Sequence, residues 1–179
     1  PARFQLIAAM NPCKCGYLGN PSKECNKAPL CGSNYQSKIS GPILDRFDLH
    51  IEVGSDEFYD FDYTIKANSE SSETVAARIF AAREFQAKRY EGYGIALKNN
   101  LDGQLLTDYA MPVDEGRNLL NEAAQKFKLS MRGYNRVLRV ARTIADLDGS
   151  DYVKKIHVAE SISYRKLNFT SPETTSLDR

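Results

Sequence analysis

Between Ser130 and Leu147 apolar side chains recur at Tyr134, Val137, Leu138, Ala141, Ile144 and Ala145, a rotation of about 100° per residue. Arg132, Arg136 and Arg139 cluster on the opposite face. A stripe of this kind requires an α-helix and requires something to cover it, since a helix this short draws most of its stability from packing. The sequence therefore predicts a helix over Met131–Leu147, with Ser130 as its N-cap and Gly149 as its stop.

Flanking segments supply the partners. A helix is predicted from Ser71 or Ser72, with Glu73 in its first turn, Val75, Ile79, Ala82, Gln86 and Tyr90 on one stripe, and Gly92 and Gly94 at its end. Another is opened by Pro112 and Asp114 and carries Leu119, Leu120, Ala123, Ala124 and Phe127 on one face. A last one runs roughly from His157 to Leu167 with Val158, Ala159 and Ile162 inward, and the Ser/Thr-rich end reads as a frayed tail.

The amino-terminal part has a different pattern. Phe4-Gln5-Leu6-Ile7-Ala8-Ala9-Met10 is almost continuously apolar, as in a strand buried on both faces of a parallel sheet. Leu49, Ile51 and Val53 alternate with His50 and Glu52 as a half-buried strand. Two strands do not make a sheet, so the expectation is an α/β remnant whose upstream sheet lies outside this chain. Residues 1–54 are assigned to that remnant, 55–72 to an acidic, polar linker, 73–168 to a helical domain and 169–179 to the tail.

Charge narrows the partners. With 24 Lys+Arg against 23 Asp+Glu the formal net charge is +1, so no global field calls for nucleic acid or an anionic membrane, and any basic site must be local. No apolar run approaches the length of a membrane helix, and no secretory pattern opens the chain. The expected location is cytoplasmic, with no membrane partner.

Three places can carry chemistry. Asn11, followed by Pro12, stands at the tip of the first expected strand, where open α/β sheets place ligand contacts; it can equally cap a turn. All four cysteines, Cys13, Cys15, Cys25 and Cys31, lie within one loop. Such clustering in a cytosolic protein favours a metal over disulfides, although the spacing is not that of a zinc ribbon and free thiols are the alternative. Finally, Gly41-Pro42 turns the chain and Ile43-Leu44 anchors it just before Asp45-Arg46-Phe47-Asp48, which suits an arginine aimed outside its own fold. Arg132 is a cation in the first turn of its helix, against the dipole, which hints at a nearby anion; the arginine row is otherwise a solvated face.

FQLIAAMNPCKCGY, YQSKISGPILDRFDLHIEV, LSMRGYNRVLRVARTIADLDGS and HVAESISYR, in this order, resemble the carboxyl-terminal part of the magnesium-chelatase-like AAA+ ATPases of the ComM/YifB type, and ARIFAAREFQAKR resembles that family's first lid helix. The resemblance runs to about Asn168. It implies the end of an AAA+ P-loop core followed by a helical lid bundle. It further implies that Asn11 is sensor 1 and orients the attacking water. Arg46 becomes an arginine finger acting in trans, and Arg132 becomes sensor 2 at the γ-phosphate. The four cysteines would be the family's zinc-finger-like insertion, holding Zn2+. ATP and Mg2+ are the implied cofactors, the neighbouring subunits of a homo-oligomeric ring, expected as a hexamer, are the implied partners, and DNA is the implied substrate, acted on as in branch migration during transformation.

No G-x-x-x-x-G-K-[ST] phosphate loop occurs here, so these residues alone are expected neither to bind ATP tightly nor to hydrolyse it. The competing expectation is a non-enzymatic module that binds protein or nucleic acid through its helices and a zinc-binding cysteine loop. Metal insertion into a tetrapyrrole has no support in these residues.

Overall fold

A computed structural model of the chain describes residues 4–20, 22–53, 70–93, 101 and 103–165. Its helices are α1 (Leu30–Gln36), α2 (Gly41–Leu44), α3 (Ser72–Arg89), α4 (Gly103–Ala110), α5 (Asp114–Lys126), α6 (Met131–Leu147) and α7 (Lys155–Ser163). The chain divides into two compact units, Pro1–Leu44 with Leu167–Arg179, and Asp45–Lys166.

The larger unit is built around α6. Ser130 caps it by accepting a hydrogen bond from the Gly133 amide at 3.0 Å. At the other end Gly149 takes φ +65°, a left-handed value that glycine tolerates at no steric cost, and Ser150 N donates to Ala145 O at 2.8 Å. Both helix limits agree with the sequence reading. Val137, Leu138, Ala141 and Ala145 are buried, and α6 packs against α7, α4 and α3 while α5 packs against α7. Complete burial of a side chain such as Leu138 is worth about 1.5–3 kcal/mol, far more than its helix propensity.

Other elements follow with adjustments. Ser71 caps α3, its hydroxyl accepting from Thr74 N at 3.2 Å. Of the expected α3 stripe only the carboxyl-terminal half, Ala82, Gln86 and Tyr90, is buried, while Ile79 remains half exposed. Gly116 of α5 has a packing role: a Cβ there would lie 2.8 Å from Pro112 Cβ and 3.3 Å from Lys155 N. The missing side chain thus lets α5 approach the start of α7, where Val113 N also donates to Val153 O.

The expected strands differ. Among the described residues no β-ladder forms; Phe4–Met10 has no regular secondary structure and Ile7 is 86% exposed, as is Val53. A strand buried on both faces exists only where neighbours pair with it and cover it, and the described residues provide none. The structure is therefore mostly helical, and α1 and α2 were not foreseen. The boundary between the two compact units falls between Leu44 and Asp45, ahead of the residues read from sequence as linker. Most of that linker, and the tail, lie outside the described residues. Among the described residues no helix is long and apolar enough to cross a membrane.

Inside the larger unit the Asp146 carboxylate is buried and accepts from Arg142 Nε at 2.9 Å and from Arg89. Arg142 also donates to the carbonyls of Asp151 at 2.8 Å and Ser150 at 2.5 Å. Burial pulls the Arg142 pKa down while Asp146 opposes the shift, so the pair stands or falls together. Asp146→Ala is expected to destabilise the chain by about 3–5 kcal/mol, because it strands buried positive charge; urea unfolding of the two proteins measures it, and a loss below about 1 kcal/mol would show the arginines re-solvating freely.

Candidate functional site: an arginine-lined groove and a four-thiol loop

The N-terminal half of α6 opens on a groove of about 310 Å³ lined by Arg132, Asn135, Arg136 and Arg139. Helical spacing brings these side chains onto one face. Arg139 Nε donates to Leu101 O at 2.9 Å, and Arg136 pairs with Asp48. Arg132 is exposed and makes no ion pair with the described residues. Its guanidinium, the neighbouring arginines and the positive end of α6 all favour an anion.

Arg46 belongs to the same compact unit. It lies on an exposed turn immediately after α2, and the residues around it are held by the helical bundle. Ser130 Oγ donates to Asp45 Oδ2 at 2.6 Å, Arg165 Nη2 to Asp45 Oδ1 at 2.7 Å, and Arg165 Nη1 to Phe47 O at 3.0 Å. Arg136 holds Asp48, and His50 N donates to Tyr164 O at 2.8 Å. The hydroxyl of Ser130 is thus shared between capping α6 and binding Asp45. Sequence reasoning did not find Arg165 or these roles for Asp45, Asp48 and Ser130, because no local pattern marks bonds between residues so far apart in the chain. Asn11, exposed in the smaller unit, is not brought together with Arg46 and Arg132 by any contact within either unit.

In the smaller unit the cysteine loop closes on itself. The sulfurs of Cys13, Cys15 and Cys31 all lie within 4.8 Å of one another, and those of Cys13 and Cys15 are 3.1 Å apart. Cys25 lies near Cys31 and Cys15 in the same loop but is not one of the three grouped sulfurs. The backbone amide of Lys27, followed by the Cys31 and Cys15 thiols, holds the Cys25 thiol below its ordinary pKa. Loss of water and then the neighbouring Cys25 push Cys31 up to about 12. Cys31 is delivered by α1, whose Gly32 meets Leu18 so closely that a Cβ would be 2.5 Å from Leu18 Cδ2. Gln36 Nε2 at the end of α1 donates to Pro12 O at 2.8 Å, beside Cys13. Three convergent soft donors, Cys13, Cys15 and Cys31, could hold a metal ion.

Residues 69–165 match the family described as magnesium chelatase, subunit ChlI C-terminal, and residues 1–60 match magnesium chelatase, subunit ChlI. The chain is 38% identical to uncharacterized protein YifB of Escherichia coli over 94% of its own length and 32% of that protein. It is 36% identical to competence protein ComM of Haemophilus influenzae over 93% of its length and 31% of that protein. Uncharacterized protein Mb2921c of Mycobacterium bovis is likewise 36% identical, over 93% of this chain and 32% of that protein. The chain spans about a third of the length of these relatives.

The double use of the Ser130 hydroxyl can be measured. Removing an N-cap hydroxyl costs about 1 kcal/mol, the expected loss for Ser71→Ala, whereas Ser130→Ala also strips a bond from the Asp45 carboxylate and is expected to cost about 2 kcal/mol. Equal losses in thermal or urea unfolding would mean that the bond to Asp45 contributes nothing.

Proposed function

The chain belongs to the magnesium chelatase ChlI-like AAA+ family, on its ComM/YifB side, and from that premise we propose that it forms the sensor and lid portion of a ring-forming ATPase that acts on DNA. The observation that carries this reading is Arg132: an exposed guanidinium at the positive end of α6, in an arginine-lined groove, with no ion pair among the described residues. Arg46 on its braced turn, in the same compact unit, supports it.

In this reading each residue has one task. Arg132 contacts the γ-phosphate as sensor 2, and Asn11 orients the attacking water as sensor 1. Arg46 reaches the ATP of the neighbouring subunit, so that turnover depends on assembly of a homo-oligomeric ring, a hexamer. Phosphoryl transfer asks the protein for positioning and charge stabilisation more than for covalent chemistry. The planar, permanently charged fork of arginine suits the equatorial phosphate oxygens better than lysine does. Mg2+, when bound with ATP, neutralises phosphate charge. Cys13, Cys15 and Cys31, whose sulfurs already lie together, would hold Zn2+ with Cys25 of the same loop as the fourth thiolate, a structural role. DNA as the substrate class rests on the likeness to a competence protein.

In the full-length protein, Arg46→Ala is expected to lower kcat for ATP by about 10³-fold or more while rings still assemble. Unchanged turnover in intact rings would refute the finger assignment. For the cysteines, elemental analysis is expected to find zinc in a one-to-one ratio with the chain, and Cys31→Ser is expected to lose it; a clearly substoichiometric metal content would favour free thiols.

A further inference from the structure

We propose that Arg165 is a positioning residue for Arg46, fastening the Arg46 turn to the first turns of α6 with the help of Ser130 and Arg136. The inference rests on the reading of Arg46 as a finger acting on the neighbouring subunit. A single guanidinium grips the residues on both sides of Arg46: Arg165 Nη2 donates to the Asp45 carboxylate at 2.7 Å and Nη1 to the Phe47 carbonyl at 3.0 Å. The Arg165 side chain is only 8% exposed, and Asp45 is 30% exposed, so the pair is better shielded than an ordinary surface salt bridge. Two further bonds converge on the same turn, from Ser130 to Asp45 and from Arg136 to Asp48.

Space for this arrangement comes from Gly133. A Cβ there would stand 3.3 Å from Asp45 Oδ1 and 3.5 Å from Arg165 Nη2, so a side chain at position 133 would press on the clamp. Because α6 also carries Arg132, the clamp makes the two arginines move as one body. A shift of the lid over its own nucleotide then moves the finger presented to the next subunit.

The test compares Arg165→Ala, Arg165→Lys, Arg46→Ala and the Arg46→Ala/Arg165→Ala double variant in the full-length protein, with ring assembly checked for each. Arg165→Ala is expected to lower kcat for ATP about 10- to 100-fold, since a misplacement near 1 Å is enough for that, and to leave the KM for ATP within about twofold. Arg165→Lys recovers only part of the loss, because one ammonium cannot span both acceptors. The double variant is expected to be no slower than Arg46→Ala alone. Wild-type kcat in Arg165→Ala alongside an impaired Arg46→Ala overturns the clamp and leaves the finger standing. Multiplying effects in the double variant also overturn it, since Arg165 then acts elsewhere. Wild-type turnover in Arg46→Ala removes the finger reading and the clamp with it. If Arg165→Ala rings do not assemble, Asp45→Asn, which keeps the shape and removes the charge, is judged by the same outcomes.

Discussion

The Asp146 carboxylate, buried in the last turns of α6, is shared by Arg142 from its own helix and Arg89 from the end of α3. An isolated carboxylate could not be taken out of water at this depth. Two cations around one anion would in turn leave positive charge over, and the carbonyls of Ser150 and Asp151 accept from Arg142 just beyond the helix end, where the macrodipole is negative. The network thus ties α3, α6 and the turn after α6 into one frame while satisfying each charge. Everything that α6 displays is referred to that fixed end.

A division of labour along one helix follows. The carboxyl-terminal half of α6 is buried on its apolar side and locked by Asp146, whereas the amino-terminal half keeps its arginine face toward a groove. The same first turn meets Asp45 and Arg165. Stability and display are therefore separated by about two turns of helix, so that an anion-seeking surface is carried by an element whose opposite end is secured by salt bridges and core packing.

Much of this was legible in the sequence where the determining forces are local. The limits of α6 were readable because a capping serine, a helical apolar stripe and a terminal glycine agree over adjacent residues. The clustering of the cysteines was readable, but their convergence was not, since it depends on α1 carrying Cys31 back toward Cys13 and Cys15. The apolar run Phe4–Met10 was read as a buried strand, and burial is a property of neighbours that the run itself does not contain. Nothing in the local pattern singles out Arg142, and only the fold shows it fully inside. The clamp on Asp45 joins residues at opposite ends of the larger unit and leaves no trace in local spacing. Arg46 and Arg132 could thus be singled out in the sequence by their placement, whereas the residues that surround them in the fold could not.

The close fit at Gly133 also bears on how related proteins can exchange parts. Composition suggests that the helical bundle could be transplanted from the polar stretch near residue 72 onward, yet the turn around Arg46 is seated on α6 and on Arg165. A hybrid joined at residue 72 would pair one protein's turn with another protein's seat, and the carboxylate, the hydroxyl and the gap left by glycine would have to match by chance. The unit that recombination can move intact begins at Asp45, and drift in the turn is constrained by a helix that lies far downstream.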